Sequence, residues 1–330
     1  SFTNNKTLVT YLSSESDNYN SFTNSSTGTL DNNSIFRNNK INETNSDSVN
    51  LTGITGTISN LGIFNNNLNT FTNNGSFTNN SIGTLTNKAT IVVDSVGIFT
   101  NDNTFTNDSI LTNNGTVINN LSKTITNNNT ITNNKTLNNF GTINIVHTKG
   151  VVLNTKNLNN KSSGTITNYG NMTSNYGGTI NNVGMIQNTK TSSTINAVFE
   201  NYGLIENFIY EADSGTIINT GNMLNRLNGQ DSGVLTNNGK VENGGTLTNY
   251  SKINSIGVFK NRDTGVITDN KIFNNNAGGL FINIGSISTS NVSVITNHAE
   301  FRNIVAGDKY GTLSVSGVLT NHNNVTNKGR

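Results

Sequence analysis

Apolar residues return along this chain on two nested periods. Stepping from Phe64 leads to Leu85, Phe105, Ile125, Ile145, Ile166, Ile186, Ile205, Leu227, Leu247, Ile267 and Ile287. All eleven steps are close to one length, about 20 residues, which falls in the range of repeat architectures. Inside that period runs a finer one. From Phe99 through Phe105, Leu111, Val117, Ile125 and Ile131 to Leu137 the steps are six, six, six, eight, six and six. Neither step fits the helical 3.6, and the flanks (Thr-Leu-Thr, Thr-Ile-Thr, Thr-Phe-Thr) alternate as strands do, with β-branched residues on the polar side. Two steps of six and one of eight make up the long period, which predicts a coil of three short strands and three corners. A fixed period of this size is the signature of a solenoid and not of low-complexity disorder.

The expected fold is therefore all-β: a parallel β-helix (β-solenoid), three-sided, with about 20 residues per coil. Residues 1–330 form one domain of roughly 16 coils, near 80 Å long at about 4.8 Å per coil. The twelve residues of the long-period series are the predicted core stack. Spacing is looser in residues 1–60, and irregular coils are expected near 188–202 and 225–233. The phrase Gly-x-apolar-x-Asn recurs, as in Gly83-Thr84-Leu85-Thr86-Asn87 and Gly164-Thr165-Ile166-Thr167-Asn168. It suggests corners where glycine supplies positive φ, with stacked corner asparagines hydrogen-bonding along the axis. Proline, which would remove ladder donors, is absent.

Composition narrows the function classes. The chain holds 72 Asn, 48 Thr, 31 Ser and 32 Gly but no cysteine, so disulfides, thiol nucleophiles and cysteine-zinc sites are ruled out. A net charge of +2 with 12% charged residues gives no basic patch for nucleic acid, and no apolar run is long enough to span a membrane. The start at Ser1, without Met, suggests a processed mature chain. The 17 Asn-x-Ser/Thr sequons match the roughly 17 that this composition produces by chance, so they are no sign of glycosylation.

The Gly-Thr-Leu-Thr-Asn phrase and its spacing resemble the repeat region of filamentous-haemagglutinin-like adhesins and autotransporter passengers. That resemblance implies a right-handed parallel β-helix, secreted and displayed at the cell surface. A left-handed helix would keep a strict hexapeptide throughout, which the recurring steps of eight disfavour.

Parallel β-helices also carry glycosidases and lyases, whose chemistry needs paired carboxylates. No Asp or Glu occurs from Ile110 to Phe199. The one acidic cluster, Glu206, Glu211 and Asp213 with Asp231 a coil later, is a weak candidate for a carboxylate pair or a calcium site and reads first as a solvated patch. His147, His298 and His322 lack ligand spacing, and the lysines and arginines read as isolated solvated charges. No catalytic residue, metal or cofactor is expected. Thr84/Thr86, Thr104/Thr106 and Thr124/Thr126 should stack on one outward face, an array expected to end where Asn144 and Val146 follow. Both termini read as ordinary coil sequence, so either the chain is a piece of a longer one or its ends are meant to join, and the second is slightly favoured. The expected function is a non-enzymatic extracellular structural rod, a self-stacking surface filament or an adhesin stalk, whose partners are copies of itself and surface glycans. The alternatives are a carbohydrate-binding or carbohydrate-processing spike of viral or phage type and, third, an ice-binding protein.

Overall fold

A computed structural model describes residues 57–68, 70–146, 149–175, 177–188, 234–306 and 309–328, with short strand segments between 2 and 38 and between 198 and 232. The chain is an all-β parallel β-solenoid, and no helix occurs among the described residues. It divides into two compact units, Ser1–Val152 and Leu153–Arg330.

Nearly every strand is four residues long and follows one rule. In Thr104–Asn107 the threonines Thr104 and Thr106 point outward, while Phe105 and Asn107 are both buried. The same alternation recurs in Thr84–Asn87, Thr124–Asn127 and Thr246–Asn249. Successive strands pass in turn to three parallel sheets, and each strand pairs in register with the equivalent strand one coil away. In the first unit Phe77 pairs with Ile58 and Phe99, Leu85 with Phe64 and Phe105, and Ile91 with Phe71 and Leu111. In the second, Phe259 pairs with Val241 and Phe281, and Ile295 with Phe273 and Leu319. The register is forced, because slipping by one residue would turn every apolar side chain outward.

Asparagine takes a different place from the one expected. The recurring Asn is the last residue of the strand, not a corner residue, and its side chain faces inward. Asn107 is 0% exposed. Its amide donates to Asn127 Oδ1 at 2.8 Å and to two backbone carbonyls, those of Ser109 and Thr130, each at 3.0 Å. Its own Oδ1 accepts from the Asn87 amide at 2.7 Å. Repeated coil upon coil, as in Asn60–Asn79–Asn101–Asn119–Asn139, such ladders satisfy the carbonyls that each corner turns toward the interior. A buried polar group is tolerated only on those terms. The apolar column beside the ladders supplies the hydrophobic term, and phenylalanines cluster where consecutive coils can stack them. Phe77 and Phe99 lie 5.3 Å apart nearly face to face, and Phe105 meets Phe99 edge-on at 5.2 Å.

Glycine at the corners also has a different cause. Among the described residues only Gly177, Gly278 and Ser122 have positive φ. The glycine of the recurring phrase, such as Gly83, is required by close approach, since a Cβ there would lie 2.2 Å from the backbone oxygen of Asn60 in the coil below.

The looser spacing of residues 1–60 has a structural origin. Phe22 pairs with Ile58, so the coil between them is nearly twice the usual length, and residues 39–56 within it lie outside the described ones. Of the irregular segments expected in the second unit, 189–197 also lies outside. Near them are two antiparallel hairpins inserted at corners, Ile209–Tyr210 with Asp213–Ser214 and Leu227–Asn228 with Asp231–Ser232. A third, Val305–Ala306 with Lys309–Tyr310, falls where the spacing gives no sign of an irregular coil.

Candidate functional site

With the interior closed by side chains, chemistry is confined to the outward strand positions and the corners. On the first unit one sheet presents two straight columns. Thr84, Thr104, Thr124 and Thr142 form one, and Thr86, Thr106 and Thr126, followed by Asn144, form the other. The array is longer than the spacing predicts. Ile125 pairs with Ile143, a coil shorter than the common repeat, so Thr142 and not Asn144 continues the first column.

The predicted core stack does not form one column. Phe64, Leu85, Phe105 and Ile125 do stack in register. Ile145 is buried but pairs with Asn127, so it occupies a ladder position at which asparagine is usual. Ile166 pairs with Ile186. Ile205 belongs to a different sheet, where it pairs with Ile180 and Leu235. Leu227 lies in a corner hairpin, and Leu247, Ile267 and Ile287 stack in the third sheet. The cause is coil length. Ile186 pairs with Ile217, well beyond one common repeat, because corner insertions lengthen that coil. Any fixed step then slides from one sheet to the next.

The acidic candidates can be placed only by their strands. Glu206 stands in register with Asn181 and Thr236, Asp213 faces Tyr210 in the first hairpin, and Asp231 faces Asn228 in the second. Glu211 lies outside the described residues, as does His147. Among the described residues no group of three or more His, Asp or Glu side chains is placed to hold a metal ion.

Other charged groups come together that spacing treats as isolated. Glu242 points outward from its strand yet is nearly buried, because the Lys240 ammonium lies 2.6 Å from it and the Arg262 guanidinium reaches it from the next coil. Lys260 is its register neighbour. Farther along the same sheet the exposed pair Glu300 and Arg302 joins through two hydrogen bonds, which hold the carboxyl of Glu300 below its ordinary range and raise the guanidinium of Arg302. His298 and His322 also meet, their rings parallel and 4.4 Å apart. The spacing could have found the two ionic contacts, since Glu242 and Arg262 stand one common repeat apart and Glu300 and Arg302 share a strand; only the histidine pair needs the true length of its coil.

Asp269 is the one carboxylate described in an asparagine ladder, and it is 1% exposed. It accepts from the Asn249 amide at 2.6 Å and from the Ser293 hydroxyl. Burial pushes its pKa above the ordinary 3.8, against the lowering effect of the hydrogen bonds from Ser293, Asn249 and the Lys271 backbone. A raised native pKa means that the folded state binds the proton more tightly, so stability falls as pH rises through that window and the deficit is fully present above it. Asp269→Asn removes the charge and restores a ladder amide that can donate to the Ser293 oxygen. It should stabilise the second unit at pH 7 by about 1 kcal/mol, a gain that shrinks as pH approaches 4. Thermal melts of both proteins at pH 7 and pH 4 test this, and a constant or growing difference toward acid would refute the assignment.

Comparison with known proteins adds little beyond the geometry. No family model matches the chain, and no curated protein matches it. Among solved structures the chain aligns with the crystal structure of a TibC-catalyzed hyper-glycosylated TibA fragment. The alignment spans 98% of this chain and 99% of that one at 14% identity, with a TM-score of 0.31. At that TM-score the likeness carries no argument, and the β-solenoid assignment stands on the strand pairing alone.

Proposed function

We propose that the chain is a non-enzymatic structural protein of the extracellular surface: a right-handed, three-sided rod of roughly 16 coils that stacks head to tail into a filament or serves as an adhesin stalk. Its partners in this reading are copies of itself along the axis and glycans against the neutral threonine faces. The ladder asparagines are buried and take no part in lateral contacts, so binding falls to the outward Thr and corner residues.

The observation that carries the reading is the stacking itself. Strand lies on strand in register from coil to coil, and apolar columns with asparagine ladders close the interior, so the outward threonines and corners are left for contact. Leu319 and Val325 continue the columns of Ile295 and Phe301, and in head-to-tail stacking they would meet the first coil of a second copy.

Sedimentation of the purified protein over a wide concentration range tests the stacking form. Mass should grow with concentration, and Leu319→Lys combined with Val325→Lys should hold the protein at the mass of one chain. Wild-type protein of single-chain mass throughout would eliminate the filament and leave the stalk.

A further inference from the structure

His298 and His322 are distant in sequence but hold the same place in successive coils, each following the last residue of a strand (Asn297 and Asn321) that pairs with the other. The intervening coil exceeds the common repeat because it carries the hairpin Val305–Ala306 with Lys309–Tyr310. The two imidazoles lie parallel, with centroids 4.4 Å apart and planes 1° apart. Both side chains are exposed. Neither ring nitrogen of either residue has a hydrogen-bond partner among the described residues. The Asn323 amide donates to the His298 backbone oxygen at 3.3 Å, which leaves the rings themselves uninvolved.

We infer that His298 and His322 form a two-histidine site for a borderline divalent metal ion of the Zn²⁺, Ni²⁺ or Cu²⁺ type. Neutral imidazole is the preferred protein ligand of these ions. With metal–nitrogen bonds of about 2.0–2.1 Å, two nitrogens sharing one ion stand at most about 4.2 Å apart. Rings one coil apart are already near that separation. They need only turn about their Cβ–Cγ bonds to aim lone pairs at a common point, and at an exposed corner with no competing hydrogen bonds the turn gives up only the ring–ring contact. Water completes the coordination, which makes the site open and exchangeable. Glu300, two residues from His298, is held by Arg302 and is not a spare third ligand.

The bound ion would bridge the strands Val294–Asn297 and Val318–Asn321, adding a cross-link to the coil that exposes Leu319 and Val325. It would therefore stabilise that coil against fraying, an effect that does not depend on the structural role proposed above. The chemistry of the whole chain favours a clean signal, since it has three histidines and no cysteine.

Calorimetric titration of the untagged protein with zinc chloride, in a buffer that does not coordinate metal at pH 7.5, tests the site. One ion per chain should bind. His298→Ala and His322→Ala should each weaken binding at least tenfold, while His147→Ala leaves it unchanged. Both residues are exposed, and circular dichroism of each variant confirms that the fold is retained. Binding by the two variants equal to wild type, binding lost instead in His147→Ala, or no heat from the wild type at millimolar zinc would each overturn the proposal.

Discussion

Phe99→Ala should destabilise the first unit by about 3–5 kcal/mol, the usual range for removing a fully buried ring. Phe99 is 0% exposed, stacks on Phe77, and takes the edge of Phe105. A cavity opened there cannot close by collapse, because the strands on either side are pinned about 4.8 Å apart by their ladders. Each coil touches only its neighbours, so the loss should also uncouple the coils before Phe99 from those after it and broaden the unfolding transition. Urea denaturation of wild type, Phe99→Leu and Phe99→Ala reads both effects. A loss under about 1 kcal/mol with an unchanged slope would contradict the description of the core.

The second large effect is expected in the ladder. Asn107→Asp replaces an amide that donates to the Ser109 carbonyl, the Thr130 carbonyl and Asn127 Oδ1 with a carboxylate that repels all three. An uncompensated buried charge costs roughly 3–5 kcal/mol, and part of that should return as pH falls and the acid takes up a proton. Asn107→Val should cost less, about 1–3 kcal/mol, because the fold already accepts valine at such a place. Val93 is fully buried in register between Asn73 and Asn113. Comparing the two variants at pH 7 and pH 4 separates charge from lost hydrogen bonds. Equal costs at both pH values would mean that the ladder position tolerates a buried charge.

Much of this architecture is legible in the chain. The short strands, their parallel stacking and the outward threonines all follow from the steps of six and the Thr-apolar-Thr phrases, because a side chain must point either into a narrow core or out of it. The inward asparagine is harder to place. Polarity argues for the surface, and only the corner carbonyls in need of a donor explain Asn107 and its equivalents inside. Glycine at position 83 does mark a corner, but the reason is the nearby Asn60 carbonyl and not backbone handedness.

Which residues touch is less legible, because coil length varies. The coil from Ile125 to Ile143 is short, that from Phe77 to Phe99 slightly long, and that from Ile186 to Ile217 about half as long again as the common repeat. No fixed step survives such variation. It moves Ile205 and Leu247 off the predicted column. It also hides the meeting of His298 with His322 until the pairing is known.

In the function proposed above, copies of this chain stack along the axis into a continuous solenoid. Electron cryo-microscopy of the purified protein across a range of concentrations tests that claim most directly. Fibres with an axial repeat of about 4.8 Å should form and lengthen with concentration. Discrete particles of single-chain size at every concentration would contradict it.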